Sequence, residues 1–311
     1  MIPVPVTLFY ETLEPVHVGA GGYRLGRVDN TICREPGTML PKIPGTSLAG
    51  ASRAYAALAY GKREASGQHR DLTPAQRVNC PILFTFGTAT DQDAGFAGKV
   101  SFGDAHIVFF PVATMAGPVW VSTPELLESW CEIPASTNPI SNPETLLVSP
   151  ALVSGNLNLG WILFNTIAEI SKTTALPPTL AKIATRLVLV HPSIFPQIVN
   201  SNLEVRTSVS ISWKTGAADG GALFTYEAIP RGAFLAHQIV EDNFMRLTGI
   251  FPVDRKYSCN PGATAVPLDW PRPIHAAVAG LELIDPLGIG GMGTRGFGRM
   301  KLLNPPAKGG N

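Results

Sequence analysis

Charge is what this chain has least of. Asp, Glu, Lys and Arg make up only 15% of its 311 residues, below the usual quarter. Twenty-four basic residues against 23 acidic ones leave a formal net charge of +1. No bulk field draws a polyanion to such a surface, so any contact with nucleic acid must use local patches and backbone N–H groups. Cysteine is scarce too. Cys33, Cys80, Cys131 and Cys259 stand far apart with no Cys-x-x-Cys pair. That argues against a disulfide framework and for reduced, mostly buried thiols in a cytoplasmic protein. His69 and Cys80 offer two ligands of a metal site, but no third or fourth accompanies them, and a structural zinc is not expected. Long hydrophobic runs are also missing. The longest, residues 107–121, is broken by Pro111, Gly117 and Pro118 and is too short to span a bilayer. Residues 1–5 lack the basic start and apolar core of a signal peptide. The expectation is a soluble cytoplasmic protein with no membrane partner.

Apolar residues and loop formers are abundant. The chain is 45% hydrophobic, with 31 Gly and 28 Pro dispersed between the apolar runs. That composition predicts a sizeable core crossed by many loops, and not disorder. The length suits two modest domains or one large decorated domain.

Residues 4–14 read as a first strand. After the turn Pro41-Lys42-Ile43-Pro44-Gly45, Thr46 and Ser47 are good N-caps. Leu48, Ala51, Tyr55, Leu58 and Ala59 then recur at helical spacing, which predicts a helix over 47–60 closed by Gly61. Residues 62–79 are polar and read as an insertion, and 96–113 as a strand pair or one long strand. Thr123-Pro124-Glu125 opens a short helix running to about Cys131. The spacing further predicts a loop over 135–150, a strand over 161–170 and a helix over 177–190. From 204 to 214 the residues alternate, with Val205, Thr207, Val209, Ile211 and Trp213 on one face. Asp219-Gly220-Gly221 and a second run over 223–229 complete a hairpin signal. A strand over 233–240, an irregular stretch over 254–271 and a helix over 273–283 follow. The pattern suits an α+β sandwich with insertions.

Three segments carry chemistry. Residues 288–298 read Gly-Ile-Gly-Gly-Met-Gly-Thr-Arg-Gly-Phe-Gly. Glycine tolerates positive φ and close backbone approach, so Gly290, Gly291 and Gly296 beside Arg295 form a surface suited to phosphate or ribose. The run lacks the Gly-Lys-Ser/Thr ending of a P-loop and precedes a strand instead of a helix, which weighs against a nucleotide-dependent enzyme. A helix opening with Ser47 is a ready anion site, to which Lys42 and Arg53 could add charge. The third segment runs from His17-Val18-Gly19 through Asp29 to Arg34-Glu35-Pro36.

The spacing GhGxxxxxGhG, with h apolar, resembles the glycine-rich loop of the RAMP superfamily, the RNA-binding proteins of CRISPR effector complexes. The Ile-Pro-Gly turn with Thr46, Ser47 and Leu48 is similar to that family's N-terminal signature. His17-Val18-Gly19, Asp29 and Arg34-Glu35-Pro36 most resemble the backbone subunit of type III-B (Cmr) complexes. Cys80-Pro81 with Phe86-Gly87-Thr88 agrees, as do Ala97–Ala105 with Phe110-Pro111-Val112, and Gly221–Glu227 with Pro230.

The resemblance implies one domain over 1–311. Its fold would be a modified RNA-recognition (ferredoxin-like) palm with a partly helical insertion at about 61–95 and a β-hairpin thumb at about 204–229. It implies copies stacked along a CRISPR guide RNA, target RNA as substrate, and other subunits of the effector complex as partners. Asp29 matches the loop Asp that family members need to cut target RNA, as base or as ligand of a divalent cation (Mg²⁺ or Mn²⁺), with in-line attack of a 2′-OH on its phosphate. His17, Tyr226 and Glu227 are further catalytic candidates. Lys42, Ser47, Arg53, Gly290, Gly291, Arg295 and Gly296 are candidates for guide contacts that read no sequence, and Trp213 for wedging or stacking on bases. Two alternatives stand beside this. Periodicity alone favours Val209, Ile211 and Trp213 packing on the palm, and an architectural RNA-binding subunit that never cuts would carry the same fold.

Overall fold

The computed structural model describes residues 3–21, 28–67, 80–88, 96–153, 155–171, 174–242 and 270–306. Its strands include β1 (Val6–Thr12), β2 (Lys42–Ile43), β3 (Val100–Phe102), β4 (Ala105–Val112), β5 (Val119–Ser122) and β6 (Thr145–Val148). Then come β7 (Thr166–Glu169), β8 (Leu187–Leu189), β9 (Glu204–Ile211), β10 (Ala218–Ala228), β11 (Phe234–Glu241) and β12 (Met300–Leu302). Among the described residues the α-helices are α1 (Gly45–Tyr60), α2 (Pro81–Phe86), α3 (Pro124–Cys131), α4 (Phe195–Ser201), α5 (Pro273–Glu282) and α6 (Ile284–Leu287).

One ten-stranded sheet runs β7-β6-β8-β5-β4-β11-β1-β12, with β2 beside β4 and β3 beside β11. Within it, each strand of β12-β1-β11-β4 is antiparallel to its neighbour. Helix α1 lies between β1 and β4 in the chain, and α5 between β11 and β12. Two βαβ halves interleaved in this order are the ferredoxin-like arrangement expected for the palm.

The sheet is covered on both faces, which is why its central strands read as continuous apolar runs. In β1, Leu8 and Tyr10 join a core that includes Leu48 of α1 and Ile274, Ala277 and Val278 of α5. Phe9 joins the opposite core with Phe109, Phe234, Leu127 of α3, Leu180 and Ile183. The two helices touch closely. A Cβ on Gly280 would stand 1.9 Å from the Ser52 carbonyl oxygen, and Ser52 Oγ donates to the Ala277 carbonyl at 2.7 Å.

Several local expectations need correction. Helix α1 starts at Gly45, so Thr46 and Ser47 lie inside its first turn and no neighbouring side chain caps it from Pro44. The cap comes from afar: Asp104 Oδ1 accepts the Gly45 N–H at 2.8 Å. Part of 135–150 is strand, because Leu146 and Val148 bury in the core as β6. Residues 161–170 divide between a small hairpin strand, Ile162–Phe164, and β7. Residues 177–190 form a 3₁₀ helix, Pro178–Arg186, that gives way to β8 at Leu187-Val188-Leu189, which bury fully between β5 and β6 in the sheet. The Thr123 expectation holds, with Thr123 Oγ1 accepting from Leu126 N at 3.2 Å. His69, Cys259, most of 61–95 and the irregular stretch 254–271 lie largely or wholly outside the described residues.

Among the described strands, β9 and β10 pair with each other as a separate two-stranded sheet. The face that periodicity alone would place on the palm is exposed. Val209 is 45% accessible, Ile211 63% and Trp213 88%, with Leu223 on β10 at 64%.

Candidate nucleic-acid interface

The base of the hairpin is a strand edge stitched to the loop between β1 and β2. Thr225 and Glu227 turn their backbone groups away from β9 and toward this loop. Asn30 N donates to Thr225 O at 3.0 Å, Glu227 N to Asn30 O at 3.0 Å, and Val16 and Ile229 exchange a pair of bonds. Asp29 extends the ladder with its side chain. Its Oδ2 accepts from Thr225 N at 2.8 Å and from Thr225 Oγ1 at 2.9 Å, while Asp29 N donates back to Thr225 Oγ1 at 3.0 Å. The backbone and hydroxyl of Thr225 hold the Asp29 carboxyl below the usual carboxylate range, although the group is fully exposed. Both hydrogen bonds fall on Oδ2, so among the described residues Oδ1 has no partner.

The other three catalytic candidates sit beside Asp29 in the chain fabric but are committed elsewhere. Glu227 is buried, its Oε1 accepting from Arg34 Nη2 at 2.6 Å and its Oε2 from Ile32 N at 3.3 Å. Arg34 also donates to Asn200 Oδ1 at 3.0 Å and to Ile32 O at 3.1 Å. This buried pair ties the hairpin to the loop and to the C-terminal end of α4. His17 is 8% exposed, and its Nδ1 lies 2.6 Å from the Glu227 carbonyl. A carbonyl only accepts, so the proton sits on Nδ1. Tyr226 packs edge-on against His17 at 5.8 Å and against Phe224 at 5.9 Å. Strand alternation puts Tyr226 and Phe224 on the opposite face of β10 from Thr225. No hydrogen bond joins the Asp29 carboxylate to any of these three side chains among the described residues.

The glycine-rich loop docks on the same base, with its glycines used largely for self-contact. Gly290, at φ +82°, would place a Cβ 2.3 Å from the His17 carbonyl oxygen, and Gly298, at φ +94°, one 2.4 Å from Ile289 O. Gly291 N donates to His17 O at 2.9 Å, Ile289 N to Gly298 O at 2.9 Å and Gly298 N to Pro15 O at 2.8 Å. What faces outward is the apex: Gly293 and Gly296 have nothing near a would-be Cβ. Arg295 is exposed there, with Nη1 3.5 Å from the Tyr226 hydroxyl. Behind the apex the Arg206 guanidinium lies over the Phe297 ring at 4.8 Å.

Lys42, Ser47 and Arg53 do not join this cluster through any contact among the described residues. Lys42 bridges Glu35 at 2.9 Å and Asp104 at 2.7 Å, and those two carboxylates push its pKa up. The helix start that looked like an anion site is thus already filled by the chain's own Asp104. Arg53 donates to Ala65 O at 2.9 Å, and Ser47 is half-buried in the first turn. Trp213 stands at the hairpin tip with Lys214 Nζ 5.5 Å from its ring centre. Sequence reasoning missed Thr225 and Arg34 as partners. Both stood in recognised signatures, Arg34 in Arg34-Glu35-Pro36 and Thr225 in Gly221–Glu227, but their partners lie far off in the chain.

Among the described residues there is no group of three or more His, Cys, Asp or Glu placed to hold a metal ion, and no helix long and apolar enough to cross a membrane. The free Oδ1 of Asp29 fits a divalent cation only as one ligand of a set completed by substrate phosphate, the manner in which Mg²⁺ is commonly bound.

Fold and site together define a ferredoxin-like palm with a projecting hairpin and a glycine-rich loop at its base. The sequence pattern of the RAMP superfamily matches residues 9–301, and the chain belongs to that superfamily. It is 28% identical over 239 residues to the CRISPR system Cmr endoribonuclease Cmr4 of Pyrococcus furiosus, covering 70% of this chain and 75% of that protein. Its fold is similar to a chain of the type III-B Cmr-beta complex bound to cognate target RNA (TM-score 0.65, 15% identity, 96% of each chain covered). It is also similar to oligomeric Cmr4 from Pyrococcus furiosus (TM-score 0.53, 19% identity, 96% of this chain and 98% of that one).

Proposed function

We propose that this protein is a backbone subunit of a type III CRISPR effector complex. In this reading the chain acts as a single unit that binds guide RNA, stacks with further copies of itself and with other subunits, and cleaves complementary target RNA. The named Cmr4 relative and the likeness to a chain of a target-bound Cmr complex support the class. One observation carries the cleavage reading: Asp29 is exposed at the hairpin base and held by Thr225 through Oδ2, with Oδ1 unpartnered among the described residues.

The chemistry is in-line attack of a target 2′-OH on the adjacent phosphate. A general base works best with a pKa near the operating pH, and Thr225 lowers that of Asp29. The carboxylate therefore stays ionised and is better suited to orient the hydroxyl or hold a cation than to take up the proton. A divalent cation, with Asp29 Oδ1 as one ligand, would neutralise charge on the attacked phosphate. The exposed apolar residues of the hairpin, Val209, Ile211, Trp213 and Leu223, would unstack the duplex beside that phosphate. Arg295 and the apex glycines 293 and 296 would meet guide phosphate or sugar without reading sequence.

The test is cleavage of a complementary target by the complex reconstituted with guide RNA and Mg²⁺ or Mn²⁺, wild type beside Asp29→Ala. We expect cuts at regular spacing from wild type and a loss of at least about 100-fold in the variant, as for removal of a group acting on the reacting atoms, with target still bound. No cuts from either, with RNA bound by both, would leave an architectural subunit.

A further inference from the structure

Asp29 belongs to a loop, and a loop aspartate ordinarily samples several rotamers. Here its carboxylate takes part in a strand edge. Thr225 contributes three bonds to one residue: N–H to Oδ2 at 2.8 Å, Oγ1–H to Oδ2 at 2.9 Å, and acceptance of the Asp29 N–H at 3.0 Å. Their directions are fixed by chemistry. The Thr225 oxygen receives the Asp29 N–H on a lone pair, so its own hydrogen is left for the carboxylate. Two donors on Oδ2 fix the rotation of the carboxyl group and make Oδ1 the oxygen offered to a ligand. The clamp is itself anchored two residues further on, where Glu227 is buried against Arg34 and its carbonyl receives the His17 Nδ1–H. Thr225 thus connects a rigid strand base to the exposed carboxylate of Asp29.

We propose that Thr225 is a positioning residue for target cleavage, acting through Asp29 by holding its carboxylate in a single orientation. This rests on the cleavage reading above. Thr225 touches no substrate in this account, and the hairpin apolar face and the glycine-loop apex are independent of it. Its loss should slow the chemical step and leave guide and target binding alone. Misplacing a reacting group by about 1 Å costs on the order of 100-fold, and the backbone N–H survives in both Thr225→Val and Thr225→Ser, so a partial loss is expected from removing the hydroxyl.

The experiment is single-turnover cleavage at saturating target by the assembled complex, with target affinity measured in parallel. The variants are Thr225→Val, which removes the hydroxyl at nearly constant shape, Thr225→Ser, which restores it, Asp29→Ala, and the double variant Asp29→Ala/Thr225→Val. We expect Thr225→Val to cut about 10- to 100-fold more slowly with target affinity unchanged, Thr225→Ser to recover most of the rate, and the double variant to be no slower than Asp29→Ala. Wild-type rates for Thr225→Val would overturn the proposal, as would equal losses in the Val and Ser variants or a fall in affinity matching the fall in rate. If Asp29→Ala itself cuts normally, the cleavage reading fails and this inference with it. If Asp29→Ala is dead while Thr225→Val is normal, only the positioning role fails.

Discussion

The palm strand β4 and the hairpin strand β9 use similar residues to opposite ends. In β4, Ile107, Val108, Phe109 and Phe110 are all at most 2% exposed, because helices cover one face of the sheet and a second layer covers the other. In β9, Val205, Val209 and Ile211 are 39%, 45% and 63% exposed, and Trp213 just beyond is 88% exposed. Both stretches carry β-branched residues and form strand, although β9 alternates them with Arg206, Ser208 and Ser210. Burial comes from what packs against them. The palm supplies its own cover, whereas among the described residues the hairpin face has none, and a patch of that kind commonly marks an interaction site.

The largest effect should come from the palm. Phe109 is fully buried and meets Phe234 edge-on at 6.2 Å. Phe109→Ala should cost about 3–5 kcal/mol, read as a lower urea midpoint of the isolated chain. A loss below about 1 kcal/mol would mean the site collapses around the cavity, and the contrast with the hairpin would shrink.

A second effect is set by pH and again falls on the palm. His237 pairs across β11 and β1 with Leu8, lies 3.4 Å from the Tyr10 hydroxyl and is fully buried. Burial pushes its pKa down from 6.5 to about 4. A depressed histidine is neutral when folded, so above pH 6.5 it costs nothing. As pH falls from 6.5 toward 4 the unfolded chain takes up a proton that the folded chain refuses, and stability declines by about 3 kcal/mol over the window. Below about 4 the slope ends. Urea unfolding of wild type and His237→Phe at pH 7 and pH 4.5 checks this, with the variant losing less. Equal losses would show that the histidine accepts a proton in the folded state.

Much of this contrast was legible in the sequence, and the rest failed for physical reasons. Helix α1 and α3 with its Thr123 cap announce themselves by period or cap, and the hairpin by alternation. Asp219-Gly220-Gly221, however, lies inside β10, and the turn falls before it, where Ser212 N donates to Ala217 O. The ferredoxin-like order was legible only through the family resemblance. The 3₁₀ helix ahead of β8 and the division of 161–170 did not announce themselves, since short apolar runs fit helix and strand alike until partners choose between them. Asp29 was found through the motif that surrounds it. Glu227 and Lys42 looked free in one dimension. Their partners, Arg34 and Asp104, lie 193 and 62 residues away in the chain, beyond any local signal. The glycine loop was read as shaped for a ligand. Gly290 and Gly298 serve close backbone approach to His17 and Ile289, a demand that sequence spacing cannot separate from ligand contact.

The smallest effect on stability should come from the most exposed large residue of the hairpin. Trp213 is 88% exposed, and its resolved ring contact is Lys214 at 5.5 Å. Trp213→Ala should therefore shift the stability of the isolated chain by no more than about 0.5 kcal/mol, an order of magnitude less than Phe109→Ala. The same variant should weaken RNA binding once the complex is assembled, because stacking of an aromatic ring on a base is worth about 1–3 kcal/mol. Urea unfolding of the chain and filter binding of target by the complex read the two quantities separately. A large stability loss would place Trp213 in a core and abolish the distinction between palm and hairpin. Stability and binding both unchanged would keep the hairpin exposed but remove its tip from the RNA, leaving Val209, Ile211 and Leu223 as the residues to test at the duplex.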